Sequence, residues 1–357
     1  MQGSIKQTER LFWKSKKVLI TGHTGFKGSW LSSWLLDLGA NVHGFSLPLG
    51  NDNLLFEQLR LSESVHSEFA NICEPTKIRH KIHDVKPDVI FHMAAQPLVL
   101  KSYAEPVNTW KTNVLGTLNL LESTSNLPDQ CAIVVITSDK VYENNDQGGA
   151  FCEDDRLGGK DPYSASKAAV ELLVSSWNNS FLNVSPNIRL ITARAGNVIG
   201  GGDWAEDRLV PDLIRAWQRG NSFIPRNPTA VRPWQHVLEP LSGYIRLAQK
   251  IYEGETLGNS YNFGPETSDI VCTEKVIEIA SKYWQGKWHS INAPSHYQEA
   301  QTLNLSIHRA KKDLGYKPRW NLSKALEMTM NWYFDVMSGT RCPIDATYQQ
   351  IKSFGRP

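Results

Sequence analysis

The sequence lacks the marks of several large classes of protein. Its five cysteines, Cys73, Cys131, Cys152, Cys272 and Cys342, form no CxxC pair and no other tight metal-ligand spacing. An odd number of scattered cysteines is typical of free thiols in a reducing compartment, which predicts a cytoplasmic chain without a metal site. The polar first 17 residues hold no apolar signal segment. No apolar run is long enough to cross a bilayer.

An excess of charge of one sign is also absent. The 38 lysines and arginines against 36 acidic residues leave a formal net charge of +2. The basic residues are scattered, and no basic block is interleaved with aromatics. So small a net charge produces little electrostatic attraction to nucleic acid or to an anionic membrane, and no partner of either kind is expected. A length of 357 residues suits one large domain plus a smaller one.

The first half of the sequence alternates short β-rich runs with helical patterns. This alternation predicts an α/β fold, a doubly wound parallel sheet of Rossmann type with helices on both faces. Ligands are expected beyond the carboxyl ends of its strands. The predicted strands are 17–20, 41–47, 88–92 and 132–137, and the predicted helices are 29–38 and 109–124.

After Ala195 the pattern loosens, and glycines and prolines separate short elements. Residues 1–195 are therefore expected to form the Rossmann domain, with later segments near 232–255 returning to it. Residues 196–357 are expected to form mostly a second, smaller mixed α/β domain that binds the substrate.

A glycine-rich loop follows the first predicted strand and opens the first helix. Small residues at Gly22, Gly25 and Gly28 let the backbone approach a pyrophosphate, which the helix N-terminus would stabilise. The spacing is GxxGxxG rather than GxGxxG, so an ordinary glycine-rich turn stays open as the alternative on spacing alone. The second strand ends near Ser46 without an acidic residue or an arginine, which favours NAD over NADP.

Tyr163 and Lys167 lie four residues apart at the start of another predicted helix and share one face. A nearby ammonium stabilises phenolate, so we expect Lys167 to lower the pKa of Tyr163 towards neutrality and make it a base. YxxxK alone is common on ordinary helices. Ser138, Asp139 and Lys140 follow a predicted central strand, where they either carry chemistry or form a polar turn. Three consecutive proton-exchanging groups exceed what a turn needs, which favours chemistry.

Together these motifs resemble the extended short-chain dehydrogenase/reductase family, and the resemblance covers nearly the whole chain. The combination is far more specific than any single motif. Besides the glycine loop and the Tyr163–Lys167 pair, it includes His92-Met-Ala-Ala-Gln96, Asn113-Val-Leu-Gly-Thr117, Arg194-Ala-Gly-Asn197, Arg232-Pro-Trp-Gln-His236-Val237 and Tyr261-Asn-Phe-Gly264.

The resemblance implies a site for NAD. The loop glycines would hold the pyrophosphate, residues 94–96 would line the nicotinamide ribose, and residues 71–72 would replace a family Asp-Ile pair that holds adenine. The implied cofactor residues are Gly22, His23, Thr24, Gly25, Phe26, Lys27, Gly28, Ser46, Asn71, Ile72, Ala94, Ala95, Gln96, Asn113, Tyr163 and Lys167.

His23 is unusual in this loop, since many relatives carry a small residue there. Its imidazole is expected to crowd the cofactor by its bulk, with attraction of the pyrophosphate by a protonated imidazole as the alternative. We therefore expect the loop to hold NAD loosely.

Within the family, the chain resembles the nucleotide-sugar 4,6-dehydratases that act on CDP-glucose. Those enzymes share Ser-Asp-Lys at residues 138–140 and the loop at residues 22–30, whereas the dTDP-glucose enzymes carry Thr-Asp-Glu. The implied product is a CDP-4-dehydro-6-deoxy sugar for deoxysugar biosynthesis, as in lipopolysaccharide O-antigen. Internal oxidation, loss of water and reduction would form it, with the cofactor regenerated in place.

The resemblance also implies catalytic roles. Tyr163, aided by Lys167 and Ser138, would take the proton of the sugar 4-hydroxyl. Asp139 would be the acid for the departing 6-hydroxyl, and Lys140, made neutral by desolvation, the base for the C5 proton.

The same resemblance implies that Asn197, Arg208 and Arg232 bind the sugar nucleotide, Arg232 through its bidentate fork.

The resemblance further implies a homodimer or a dimer of dimers, formed by the helices that bear Asn113 and Tyr163. Three alternatives stay open: a 4-epimerase, a 4,6-dehydratase of another nucleotide sugar, and a redox-sensing or scaffold protein without chemistry.

Overall fold

A computed structural model describes residues 10–50, 54–146, 148–182, 187–290 and 300–355. Its main feature is a seven-stranded parallel sheet, which confirms the predicted α/β class. The seven strands are β1 Lys17–Thr21, β2 Asn41–Ser46, β3 His66–Phe69, β4 Val89–His92, β5 Cys131–Ile136, β6 Ile188–Ala195 and β10 Ser260–Phe263. Their order across the sheet is β10-β6-β5-β4-β1-β2-β3.

The central strands are apolar on both faces because both faces are covered. Successive residues of β1 alternate between two hydrophobic clusters: Val18 and Ile20 face one, and Leu19 faces the other. In β5, Val134 faces the first cluster and Ile133 the second. Helices pack over both clusters, so the strands show the continuous apolar runs that are typical of parallel sheets.

The helices agree with the prediction in position, with one difference. The predicted helix 109–124 is three segments, in which a π-helical turn, Lys111–Leu115, interrupts the α-helix. The α-helices are Phe26–Asp37, Leu54–Gln58, Pro75–Val85, Val99–Ala104, Pro106–Trp110, Gly116–Thr124, Pro162–Ser180, Leu209–Gln218, Leu238–Tyr252, Thr273–Trp284, His308–Leu314, Leu322–Met337 and Pro343–Phe354.

The second half of the chain contributes both to the main sheet and to small sheets beside it. The helix Leu238–Tyr252 packs on β5 and β6, and β10 pairs with β6 at the sheet edge. Segments of the second half thus contact the main sheet as far as residue 263, whereas the two-domain division, with its return near 232–255, stays a prediction. The small sheets pair β11 (Ile270–Cys272) with β8 (Val231–Pro233), and β7 (Val198–Ile199) with β9 (Gln235–His236).

The C-terminal helices share the core of the main sheet. Trp332 and Phe354 lie in the same hydrophobic cluster as Val18, and the ring of Phe354 packs edge-on against Trp34. Within the described ranges, every helix is too short or too polar to be a candidate membrane span.

Candidate active site

The glycine loop has the tight geometry that a pyrophosphate needs. Gly22 adopts a left-handed φ of 74°, and its N–H donates to the carbonyl of Phe45 at the end of β2 (2.8 Å). A Cβ on Gly28 would lie 2.2 Å from the Gly22 carbonyl oxygen. Only glycine fits these two positions, and the loop runs straight into the N-terminus of the helix Phe26–Asp37. The residues present therefore fit a dinucleotide.

The end of β2 is tied to this loop by a hydroxyl pair. Thr24 Oγ1 and Ser46 Oγ lie 2.8 Å apart and are buried. The structure thus brings together two residues predicted to contact the cofactor. Their role at the ribose stays a prediction.

His23 is placed differently from our expectation. Its side chain is fully buried, its Nε2 lies 2.9 Å from Ser67 Oγ, and its ring packs edge-on against Phe56. Burial lowers the pKa of His23 to about 4, so the imidazole is neutral at physiological pH. The ring fills space over Gly44, where a Cβ would lie 2.3 Å from it. Neither direct crowding of the cofactor nor attraction by a protonated ring is consistent with this burial.

The predicted adenine residues lie beside the helix Gly116–Thr124. Asn71 is exposed, and its Oδ1 accepts the N–H of Cys73 (2.9 Å). Ile72 is buried, and a Cβ on Gly116 would lie 2.6 Å from its Cγ2. Ile72 therefore packs against the helix, and the role of both residues at the adenine stays a prediction.

The loop after β4 brings the predicted nicotinamide residues beside Asn113. Ala94 and Ala95 are partly exposed there. The side-chain amide of Gln96 is used within the protein, since it donates to the Leu98 carbonyl (3.1 Å) and to Thr109 Oγ1 (2.9 Å). Gln96 therefore shapes the loop, and its side chain is not free to reach a ribose.

The predicted catalytic residues come together where β5 ends and the helix Pro162–Ser180 begins. Asp161 caps this helix by accepting the N–H of Ser164 (2.9 Å). Lys167 Nζ donates to the carbonyl of Ile136, the last residue of β5 (3.1 Å). Ser138 and Asp139 both act on the ionisation of Tyr163, which places these side chains close together. The residue triplet after β5 and one face of this helix thus lie side by side, and their catalytic roles stay predictions.

The ionisation of Tyr163 and Lys167 departs from our expectation. Burial raises the pKa of Tyr163 to about 12, although Ser138 and Arg208 act in the opposite direction. Burial also lowers the pKa of Lys167 to about 8, although Glu171 opposes this shift. The phenol is therefore protonated at neutral pH, because desolvation outweighs the favourable neighbours.

Asp139 is suited to act as an acid. It is 2% exposed, and burial raises its pKa although Lys140, Ser138, Arg232 and Lys27 lower it. Its Oδ1 accepts a hydrogen bond from Ser138 Oγ (3.1 Å). Its Oδ2 is buried without a hydrogen-bond partner in the described part of the chain. The backbone N–H of Lys140 donates to Ser138 Oγ (3.2 Å), and its side chain is half-buried.

The predicted substrate residues approach the site from the second half of the chain. Arg232 is buried in β8, and its Nη1 donates to the carbonyls of Val231 (2.9 Å) and Gln301 (3.2 Å). The Arg208 guanidinium lies 2.9 Å from Asp203. Asn197 is half-buried, and its backbone carbonyl accepts the N–H of Gln235 (3.0 Å). Arg208 and Arg232 act electrostatically on Tyr163 and Asp139 respectively, which places both near the catalytic residues.

A buried ion pair beside the catalytic residues was not predicted from the sequence. Glu171 and Arg194 are both less than 5% exposed and meet at 2.8 Å, and Arg194 also donates to the Tyr142 hydroxyl (2.8 Å). Glu171 follows Lys167 by four residues and therefore shares its face, which was the available signal.

Lys27 and Tyr244 also meet at the site. Lys27 Nζ lies 5.8 Å from the centre of the Tyr244 ring. Burial, Arg208 and Lys167 lower the pKa of Lys27 to about 8. Its side chain therefore extends from the cofactor loop towards the catalytic residues, although it was predicted only as a cofactor residue.

All five cysteines are free thiols. The described ranges contain no group of three or more histidines, cysteines or acidic residues that could hold a metal ion.

Three features together define an enzyme of the short-chain dehydrogenase/reductase class. They are the parallel sheet, the glycine loop after its first strand, and the group formed by Ser138, Tyr163 and Lys167. A family model described as GDP-mannose 4,6 dehydratase matches residues 19–329. The chain is 44% identical over 332 residues to the CDP-glucose 4,6-dehydratase of Salmonella typhimurium. The aligned region covers 91% of this chain and 92% of that protein. The chain therefore belongs to the GDP-mannose 4,6-dehydratase family.

More distant relatives and solved structures agree with this fold. The dTDP-glucose 4,6-dehydratase of Shigella flexneri is 25% identical over 93% of this chain and 97% of its own. An epimerase from Methanothermobacter thermautotrophicus superposes with a TM-score of 0.79 over 98% of both chains, at 20% identity. The dTDP-glucose 4,6-dehydratase of Bacillus anthracis in complex with NAD superposes with a TM-score of 0.75 over 90% of this chain and 97% of its own, also at 20% identity.

Proposed function

We propose that this enzyme is an NAD-dependent hydro-lyase that converts CDP-glucose into CDP-4-dehydro-6-deoxy-glucose. The observation that carries the proposal is the side-by-side placement of a Tyr/Ser/Lys group for oxidation at C4 and a buried carboxyl, Asp139, for loss of the 6-hydroxyl. A 4-epimerase needs only the first of these. The 44% identity to a CDP-glucose 4,6-dehydratase supports the choice of substrate.

The cofactor would lie along the glycine loop, over Gly22 and Gly28, with Ser46 and Thr24 at its ribose end. When bound, NAD supplies the redox chemistry by accepting a hydride from C4 of the sugar and returning it to C6. The protein's part is to orient the sugar and to move protons.

Four side chains move or stabilise protons in this mechanism. Tyr163 takes the proton of the 4-hydroxyl, and Ser138 beside it favours the ionised phenol. The resulting 4-ketone acidifies the C5 proton, which Lys140 removes. Asp139 protonates the departing 6-hydroxyl, because burial favours its neutral form. Water then leaves, and Lys140 returns its proton to C5.

The diphosphate of the sugar nucleotide would be bound by Arg208, Arg232 and Asn197. Two arginines that approach from separate segments can neutralise both phosphates. Arg208 also acts electrostatically on Tyr163, and Arg232 acts on Asp139. A diphosphate bound by these arginines would therefore hold the sugar beside the catalytic groups.

The test is an incubation of the NAD-loaded enzyme with CDP-glucose that carries deuterium at C4. We expect a product that has lost one water, with the deuterium at C6. A 4-epimerase would keep the deuterium at C4 and release CDP-galactose. A protein without chemistry would return the substrate unchanged.

The nucleotide is tested in parallel with dTDP-glucose and GDP-mannose. Polar pockets reject analogues that leave buried groups unpaired, so we expect CDP-glucose to have the highest specificity constant. Equal or better use of dTDP-glucose would contradict this assignment and favour a 4,6-dehydratase of another nucleotide sugar.

A homodimer, alone or within a dimer of dimers, is also proposed. Val107, Trp110 and Leu115 lie on neighbouring helical segments and are 65%, 41% and 49% exposed. Leu172, on the catalytic helix that packs beside them, is 62% exposed. A contiguous apolar surface of this kind is typical of an interface between two copies of a chain. A cytoplasmic location and a role in deoxysugar biosynthesis stay predictions.

A further inference from the structure

The catalytic triplet, residues 138–140, directly follows a residue that is tied to the catalytic helix. This residue is Thr137, whose buried hydroxyl donates to Glu171 Oε1. Glu171 lies one helical turn after Lys167, which donates to the carbonyl of Ile136 (3.1 Å). Two consecutive residues at the end of β5 are therefore held by one face of the catalytic helix.

The chain is also held on the other side of the triplet, at Tyr142. Arg194 Nη1, from β6, donates to the Tyr142 hydroxyl (2.8 Å), which donates in turn to Asn262 Oδ1 in β10 (2.7 Å). The same guanidinium nitrogen donates to the carbonyl of Glu153 (2.9 Å). Tyr142 is 2% exposed, so water has little access to these bonds. The triplet thus lies between two residues whose side chains are fixed.

Both attachments lead to a single ion pair. Arg194 Nε and Nη2 donate to the two carboxylate oxygens of Glu171 (2.9 and 2.8 Å), in the bidentate geometry that fixes the orientation of one group relative to the other. Each carboxylate oxygen accepts one further hydroxyl, from Thr137 at Oε1 and from Thr192 at Oε2 (2.7 Å). The two charged side chains are less than 5% exposed. Thr137 and Tyr142 are therefore held by one unit, with the triplet between them.

Stability alone is a weak reason for a pair of this kind. Moving two charges out of water is costly, and their mutual attraction often does no more than offset that cost. Geometry is a stronger reason, because the directional bonds of Glu171 and Arg194 permit only one arrangement of the groups that they join. That arrangement places the triplet beside the helix face that carries Lys167.

We infer that the ion pair is a positioning unit, which holds the catalytic triplet in place relative to Tyr163 and Lys167. This inference rests on the proposed function, in which the helix supplies the base for oxidation at C4 and the triplet supplies the groups for loss of water. Both sets of groups act on one bound sugar, so a displacement of about 1 Å between them can lower the rate roughly 100-fold. Glu171 and Arg194 act through the groups that they hold.

Two buried threonines that donate to the same carboxylate give a matched test. Thr137→Val removes the hydroxyl next to the triplet, and Thr192→Val removes the one on β6. Because each variant loses one hydrogen bond to Glu171, a purely structural pair predicts the same effect on activity in both. We expect kcat with CDP-glucose to fall roughly tenfold or more in Thr137→Val, with the KM and the NAD affinity close to those of the wild type. Thr192→Val should keep the wild-type kcat.

Thr137→Ser is the conservative variant, since it keeps the hydroxyl, and it should restore most of the kcat that Thr137→Val loses. Unfolding in urea should give similar midpoints for the two valine variants. Equal kcat values in Thr137→Val and Thr192→Val, whether at the wild-type level or below it, would overturn the inference. A Thr137→Ser enzyme as slow as Thr137→Val would also overturn it.

Tyr142→Phe keeps the inference testable if Thr137→Val does not fold, because it releases the chain on the other side of the triplet. This variant should lower kcat in the same way. Tyr261→Phe is its control, since it removes a buried tyrosine hydroxyl that donates to Asp313 (2.9 Å), and it should keep the wild-type kcat. A Tyr142→Phe enzyme with the wild-type kcat would overturn the inference. Failure of the proposed function is seen separately, as the absence of any dehydrated product from the wild-type enzyme.

Discussion

At the scale of the residue, burial has the largest effect on the groups around Ser138. Tyr163 and Lys167 share a helix face, yet burial raises the pKa of the first to about 12 and lowers that of the second to about 8. A phenol in this state keeps its proton at neutral pH. The positive charge of bound NAD is a further influence that favours the phenolate, which makes the base dependent on the loaded cofactor.

Tyr163→Phe removes the proposed base and keeps the ring. We expect turnover to fall by roughly two to four powers of ten, the usual contribution of a positioned general base. The NAD affinity and the unfolding transition of this variant should stay close to those of the wild type. Tyr283→Phe, which changes an exposed ring, is the control and should behave as the wild type in every measurement. Near-normal turnover of Tyr163→Phe would show that another group takes the 4-hydroxyl proton.

Lys140→Met separates the two halves of the reaction. If Lys140 removes the C5 proton, the variant should still oxidise C4 and accumulate NADH, seen by its absorbance, but release no dehydrated product. Lys160→Met, at an exposed lysine outside the site, is the matched control and should behave as the wild type. Loss of NADH formation in Lys140→Met would instead assign Lys140 to the positioning of substrate or cofactor.

At the scale of the element, the π turn Lys111–Leu115 shows what helix periodicity alone does not predict. Asn113, in this turn, accepts the backbone N–H of Gln96 (2.8 Å) and donates to Ser166 Oγ (2.8 Å). One side chain thus joins the loop after β4 to the catalytic helix, one residue before Lys167. Such turns occur often at functional sites, because they redirect side chains that a regular helix would point elsewhere.

Gly28→Ala tests the glycine loop as a unit. Its Cβ would lie 2.2 Å from the Gly22 carbonyl oxygen, so the loop must move. We expect the Kd for NAD to rise at least about tenfold, which corresponds to about 1.4 kcal/mol. Gly258→Ala is the control, because its Cβ would meet side chains only at ordinary contact distances, with Arg309 at 3.4 Å and the Tyr261 hydroxyl at 3.7 Å. An unchanged Kd in Gly28→Ala, measured by titration calorimetry, would argue against cofactor binding at this loop.

At the scale of the whole molecule, the two faces of the sheet are covered unequally. One cluster continues into the C-terminal helices, where Trp332 and Phe354 pack. The other is covered by helices that include Pro75–Val85 and Pro162–Ser180, and the second of these still exposes Leu172. A single chain therefore leaves apolar surface uncovered on the side of the catalytic helix.

Leu172→Glu should separate the proposed dimer, because a charge buried in an apolar interface is strongly unfavourable. Sedimentation or light scattering should then give the mass of one chain at micromolar concentration. Leu11→Glu introduces the same charge at a similarly exposed leucine, two residues before Trp13 of the opposite cluster, and should leave the mass unchanged. A wild-type enzyme that already has the mass of one chain would contradict the dimer.

The sequence determined the features that depend on local pattern and chemical type. Alternating strands and helices predicted the parallel sheet, and four of its seven strands were placed within one or two residues. The glycine spacing, the Tyr163–Lys167 pair and the position of the Ser138 triplet after a strand indicated where candidate site residues would lie, and the roles of these residues stay predictions. Each of these features lies within a short stretch of chain, and neighbouring residues determine its geometry.

Only the tertiary structure decided what depends on burial and on distant contacts. His23 lies inside the protein against Ser67, because Gly44 leaves room for its ring. β10 joins the main sheet from beyond residue 255, since edge pairing is set by packing of the whole chain. The pKa of Tyr163 is raised rather than lowered because desolvation depends on everything around the phenol, not on Lys167 alone.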